Sequence, residues 1–222
     1  MNNLALKAII ALIQLIIGLA VMLFVPAWTL DYWQAWVYLF VFAISVLIIF
    51  VYLYKNDLKL LERRLERTEK EKSQKGIQFY IFMAYISLFM ISSLDHRWGW
   101  SNVCVIVVVL GDFLVGLGYF IIYLVLKENS FAATTITTHP GQKVITTGPY
   151  AIIRHPMYAG ALILILGTPL ALGSWVGEVL FVAIASLLVW RQLEEEKFLF
   201  ESLPGYKEYS HQVKYRLIPL IW

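Results

Sequence analysis

MYAGALILILGTPLALGSWVGEVLFVAIASLLVW, Met157–Trp190, is the stretch whose reading decides the fold. As one helix it would extend ~50 Å at 1.5 Å per residue, well past a ~30 Å hydrocarbon layer. Its only interruption rich in turn residues is Gly173-Ser174-Trp175-Val176-Gly177-Glu178, so the run is predicted to fold back there as two helices. Pro169 falls inside the first and is tolerated, because neighbouring helices re-satisfy freed backbone groups in a membrane. Both ends of such a hairpin return to the same membrane face, and the polar segments flanking it meet.

Four more apolar stretches precede the hairpin: Ala8–Val25, Ala35–Tyr54, Ile77–Leu94 and Asn102–Leu126. Each can cross the hydrocarbon layer. Hydrophobic residues make up 60% of the 222, and the mean hydropathy is +0.71, against roughly 45–50% apolar residues in soluble domains. The expected class is therefore an all-α integral membrane protein with about six transmembrane helices in a single membrane domain, residues 1–222. The first stretch ends in Phe24-Val25-Pro26-Ala27-Trp28 with no small-residue cleavage pattern, so it reads as a retained helix. The single cysteine, Cys104, falls in an apolar setting that keeps a thiol protonated, which makes it a poor nucleophile.

Seventeen of the 18 lysines and arginines fall at the N-terminus, between the second and third spans, between the fourth and fifth, or after the sixth, leaving Arg97 alone opposite. The positive-inside rule then places both termini in the cytoplasm. Trp28, Tyr32, Trp33, Trp36, Trp98, Trp100 and Trp175 suit an aromatic belt on the outer face. The segment Lys55–Gly76 alternates acids and bases with Leu58, Leu61 and Leu65 at helical spacing, which predicts a charged helix lying against anionic headgroups. Asp112, an acid inside a span, must face protein or water. The nearby Gly111, Gly116 and Gly118 predict close helix packing.

The connection Lys127–His155 is longer than a plain helix link requires. It is rich in threonine and punctuated by Pro140-Gly141 and Gly148-Pro149, which predicts two short extended pieces around a turn. It ends in Gly148-Pro149-Tyr150-Ala-Ile-Ile-Arg154-His155-Pro156-Met157-Tyr158-Ala-Gly160. A purely structural loop needs turn residues and a snorkelling cation, not two tyrosines, a histidine and an arginine at the mouth of an apolar run. Beyond the hairpin come Arg191, Glu194-Glu195-Glu196, Leu199, Gly205-Tyr206 and Tyr209. Arg154 and Arg191 have a bland reading as snorkelling helix-end cations, and Tyr206 and Tyr209 one as packing for the tail. His139 and His211 read as loop residues.

This order of Gly148-Pro149-Tyr150, Arg154-His155-Pro156, Tyr158, Gly160, hairpin, Arg191, Glu195-Glu196, Gly205, Tyr206, Tyr209 and Arg216-Leu-Ile-Pro219 resembles the isoprenylcysteine carboxyl methyltransferase family, within a wider group that includes phospholipid methyltransferases. The resemblance covers roughly Asn129 to Pro219. It implies a bound S-adenosylmethionine in a cytoplasmic pocket made by residues 127–222: the loop before the hairpin, the RHPxY segment and the Glu-Glu segment, closed by the tail. It also implies a lipophilic or lipidated acceptor entering from the bilayer, with no nucleic-acid partner. No strand and glycine-rich turn of a dinucleotide fold is present.

The residue types suit that cofactor. Tyr150, Tyr158 and Tyr206 can offer aromatic faces to a sulfonium. Glu195 or Glu196 can take the ammonium or ribose hydroxyls, and Arg154 or Arg191 the carboxylate. His155 can bond adenine or the carboxylate, while Pro156 can start a helix whose N–H groups face the pocket. Gly160 belongs to the same motif and is expected beside the cofactor. For an acceptor carboxylate no base is needed, and Arg191 would hold it with help from Asn129. For an amine acceptor the base would be His155 or a glutamate such as Glu195. No metal site is expected. An NADPH-dependent sterol-type reductase, whose C-terminal pattern is comparable, and a non-enzymatic membrane protein are the alternatives.

Overall fold

In the computed structural model the described residues are 3–65, 72–132 and 142–222. Along the chain they form α1 (Asn3–Ala27), α2 (Trp33–Asn56), α3 (Leu58–Leu65), α4 (Lys72–Trp98) and α5 (Val105–Glu128). A 3-10 turn (Gly148–Ala151) then leads to α6 (Pro156–Ala171), α7 (Trp175–Ser202) and α8 (Tyr206–Gln212). The protein is an all-α integral membrane protein, with no strand among the described residues.

Five helices, α1, α2, α4, α5 and α7, are long and apolar enough to cross a membrane. The sixth expected span, α6, has only 16 residues. It begins at Pro156, one residue before the apolar run, and ends where Gly173 turns the chain with φ +71. The hairpin break thus falls at the predicted place. Ser174 caps α7 by accepting from the Gly177 N–H at 2.9 Å, the usual role of a serine at that position.

α6 is held against α5 backbone to backbone. A Cβ on Gly118 would lie 2.6 Å from the Gly160 carbonyl oxygen, and one on Gly167 would lie 2.6 Å from that of Gly111. The two glycine pairs set an antiparallel crossing that larger residues would pry apart, the small-residue packing typical of membrane helices. Gly116 is not part of it: only a Val41 methyl lies nearby.

Within the described residues the predicted headgroup helix includes α3, with Leu60 and Leu61 buried and Leu58 exposed. Of the two extended pieces, the first and its Pro140-Gly141 turn lie largely outside the described residues, as does His139. The second is no strand, since residues 142–147 have no ladder partner among the described residues. Val144 packs instead on Leu203, Tyr206 and Tyr209.

At the end of the bundle reached by the C-terminus of α4, Asp95 is buried. It accepts hydrogen bonds from the Ser101 N–H at 2.7 Å and the Ser101 hydroxyl at 2.6 Å, and from the Ser174 hydroxyl. The tryptophans of the expected belt ring this end, exposed. Tyr32 departs from that expectation: it is fully buried, stacks on His96, and its hydroxyl donates to the Leu172 carbonyl at 2.8 Å. Cys104 lies here as well, exposed at the start of α5 rather than inside it.

Candidate functional site

At the opposite end the sequence-distant segments meet. α7 continues unbroken past Trp190 to Ser202, carrying Arg191 and the three glutamates on its last turns. Successive helical residues differ by ~100° in direction, so adjacent glutamates cannot do the same work.

Glu196 is buried and fully engaged. Its Oε1 accepts from Arg154 Nε at 2.7 Å and its Oε2 from Arg216 Nε at 2.7 Å, while His155 Nε2 lies 3.7 Å from Oε1. Arg154 also donates through Nη1 to the carbonyls of Val213 and Lys214, each at 2.9 Å. The backbone adds two more ties, Arg154 N–H to Tyr215 O at 2.9 Å and His155 N–H to Arg216 O at 3.0 Å. α7, the Arg-His-Pro segment and the tail are thereby locked around one carboxylate.

Glu195, one residue earlier, lines a cavity of about 910 Å³, inside the usual range for ligand pockets. It accepts from the Tyr158 hydroxyl at 2.6 Å, and Arg191, nine-tenths buried, hydrogen-bonds the same hydroxyl. Across the cavity Asn129 Nδ2 donates to the Tyr150 hydroxyl at 2.9 Å. Tyr209 donates to the Tyr150 carbonyl at 2.7 Å, and the Tyr206 hydroxyl lies 3.3 Å from His155 Nε2. Burial pushes the Tyr150 phenol up to about 12, with the Glu195 charge adding and the Asn129 hydrogen bond opposing. Burial likewise raises Tyr206 and Tyr209. All three phenols therefore keep their protons through the neutral range and act as donors or aromatic surfaces.

Of the residues expected at the site, Asn129, Tyr150, Arg154, His155, Pro156, Tyr158, Arg191, Glu195 and Tyr206 line this one cavity. Gly160 and Glu196 do not. Gly160 faces Gly118 of α5, and Glu196 turns away to the two arginines. Arg154 touches the cavity, but its guanidinium is committed to Glu196 and the tail. Glu194 pairs with Lys197 at 2.7 Å. Arg216 holds the tail to Glu196, a contact that spacing along the chain gives no way to anticipate.

Residues the sequence reading did not single out complete the wall. Phe79, Phe82, Tyr85 and Leu188 extend the cavity as an apolar arm between α4 and α7, and Phe79 and Phe82 are exposed on the lipid-facing flank of α4. Arg64, Lys75 and Lys143 add positive charge at the rim. A polar end is thus continuous with an apolar groove.

Comparison with known proteins relates part of the chain to methyltransferases. Residues 106–204 match the phospholipid methyltransferase family model. A stretch of 84 residues is 38% identical to the protein-S-isoprenylcysteine O-methyltransferase of Schizosaccharomyces pombe, covering 35% of this chain and 34% of that protein. Over 145 residues it is 26% identical to a probable protein-S-isoprenylcysteine O-methyltransferase of Oryza sativa subsp. indica, covering 61% and 73%. A 91-residue stretch is 30% identical to a delta(14)-sterol reductase of Mus musculus, covering 40% of this chain and 22% of the reductase. The chain therefore spans about a fifth of the reductase and a third of the yeast protein. Over this C-terminal part the chain is similar to the phospholipid methyltransferase family and to protein-S-isoprenylcysteine O-methyltransferases, and the ordered residues from Tyr150 to Glu196 fall within the stretch that the family model matches.

Proposed function

We propose that this protein is an S-adenosylmethionine-dependent methyltransferase acting on a lipophilic acceptor, with its cavity and both termini on the cytoplasmic face. The observation that carries the reading is the single cavity in which Tyr158, Glu195 and Arg191 form a connected polar group beside an apolar arm open along α4.

The residues present fit the cofactor. Tyr150, Tyr158 and Tyr206 offer neutral aromatic faces to a cation, each worth ~0.5–2 kcal/mol. Glu195 supplies the anion for an ammonium or ribose hydroxyls, and Arg191 a guanidinium for a carboxylate. When bound, S-adenosylmethionine supplies an electrophilic methyl group on a sulfonium. The protein's contribution is alignment and exclusion of water, which can supply roughly 7–11 kcal/mol of barrier lowering. Arg191 sits where it can orient an acceptor carboxylate, and Asn129 fixes the opposite wall through Tyr150. Glu196 and Arg154 hold the two halves of the site together from behind. The apolar arm suits the chain of an isoprenylated or phospholipid-like acceptor arriving from the bilayer.

The reductase reading also has support: the likeness to the sterol reductase, and the cations Arg64, Lys75 and Lys143 at the rim, where a nicotinamide dinucleotide's phosphates would need charge. Thermal stabilisation of the purified protein separates the two. Methyl transfer predicts a rise in Tm with S-adenosylmethionine and none with NADPH, together with label passing from methyl-labelled cofactor into an extracted lipophile. Stabilisation by NADPH alone would overturn the methyltransferase reading. The exposed native Cys104 tests orientation, because an impermeant thiol reagent should label it in intact cells. Protection of Cys104 there, with labelling of a Lys207→Cys variant, would reverse the topology.

A further inference from the structure

The start of the long connection, residues 129–132, forms part of the cavity wall, and α3 grips it from outside. Arg63 Nη1 donates to the Ser130 carbonyl at 2.8 Å, and its guanidinium lies 5.2 Å from the centre of the Phe131 ring. Arg64 Nη1 donates to the Ala132 carbonyl at 3.1 Å and itself faces the cavity. α3 in turn is fixed: Asp57 Oδ1 accepts from the Leu60 N–H at 2.9 Å, and Leu60 and Leu61 pack with Leu53, Leu126 and Ala132.

Within the gripped segment Asn129 has two tasks. Its Oδ1 accepts from the Phe131 N–H at 2.9 Å, bracing the turn, while its Nδ2 holds the Tyr150 hydroxyl at 2.9 Å. The side-chain amide can face Tyr150 only while the turn keeps its shape. The Ser130 carbonyl that Arg63 serves is exposed and can turn to water, whereas the Ala132 carbonyl that Arg64 serves is part-buried, where losing a donor is costly, so the turn would relax chiefly without Arg64.

We infer that Arg63 and Arg64 of α3 are positioning residues for the cavity, acting through the 129–132 turn and Asn129 to set the Tyr150 side chain. The inference rests on the methyltransferase reading for its consequence in binding and turnover, not for the clamp itself. It gives the charged segment after α2 a role inside the site, beyond resting on lipid headgroups. Arg64 is the stronger member because it lies in the cavity wall, and Arg63 is half-exposed.

Hydrogen exchange by mass spectrometry and cofactor titration on the full-length protein in nanodiscs test this together. Arg64→Ala should speed exchange across 129–132 at least several-fold and weaken S-adenosylmethionine binding about tenfold. Arg64→Lys, which keeps a donor within reach of the carbonyl, should recover much of both. In a Tyr150→Phe background, where the hydroxyl that Asn129 holds is gone, Arg64→Ala should cost less than twofold further. Unchanged exchange in Arg64→Ala overturns the clamp, and so does a full tenfold loss retained in Tyr150→Phe. If the unaltered protein binds no S-adenosylmethionine, the methyltransferase reading fails, and the exchange measurement alone decides the clamp.

Discussion

The two ends of the helical bundle use the same kinds of side chain to different purposes. At the far end Asp95 is surrounded by Ser101 and Ser174, and every one of its contacts is internal. At the cavity end there are two glutamates in adjacent positions. Glu196 resembles Asp95, enclosed by Arg154 and Arg216, whereas Glu195 keeps one face to an open space. Burial alone therefore does not mark a functional carboxylate. What distinguishes Glu195 is that its environment leaves coordination capacity facing a cavity, while the other two spend theirs on holding elements together.

Removing the carboxylate of Glu196 is the harshest way to test that contrast. Glu196→Ala leaves Arg154 buried without its partner and frees the tail, and breaking a buried pair this way costs about 3–5 kcal/mol. Thermal unfolding in detergent should show a large drop in Tm with loss of cofactor binding as a consequence. A stable, folded Glu196→Ala that merely binds poorly would mean Glu196 acts on the ligand directly.

Asp95→Ala should be milder and different in kind. Three hydrogen bonds to a charged acceptor are lost at about 1.5–3 kcal/mol for the strongest of them, so Tm should fall while cofactor affinity measured below Tm stays within about twofold. Weakened binding by the folded variant would show that the two ends are coupled, against the contrast drawn here.

Asp112 sharpens the comparison from the other side. Both of its carboxylate oxygens are buried with no hydrogen-bond partner among the described residues. An acid that holds nothing together should be dispensable: Asp112→Asn is expected to change stability by no more than about 1 kcal/mol, with a gain as readily as a loss. A drop in Tm as large as that of Asp95→Ala would reveal a partner for Asp112.

Much of this was legible in the chain because membranes impose strict rules. The hairpin break at Gly173, the start of α6 at Pro156 and the meeting of the RHPxY segment with the end of α7 all follow from span length and turn chemistry. α6 is shorter than a full span, and the distance from Pro156 to the break at Gly173 already set that length; the tail's hold on Arg154 and His155 just before it is what apolar patterning does not record. Choosing between Glu195 and Glu196 was likewise out of reach. Their assignment depends on which way a helix is rotated, and Arg216, the residue that fixes the rotation, approaches from the tail. The clamp of Arg63 and Arg64 lay hidden for a similar reason, because a charge-alternating segment looks solvated until the carbonyls it serves are seen.

Calorimetric titration of S-adenosylmethionine into the purified protein, beside Glu195→Gln, tests the central claim most directly. Saturable one-site binding is expected, falling about ten- to a hundredfold in Glu195→Gln, as when a charge-assisted contact worth ~1.5–3 kcal/mol is lost, with Tm within a few degrees. Equal affinity in the two proteins, or no binding by either, would contradict the assignment of this cavity and of Glu195 as its open carboxylate.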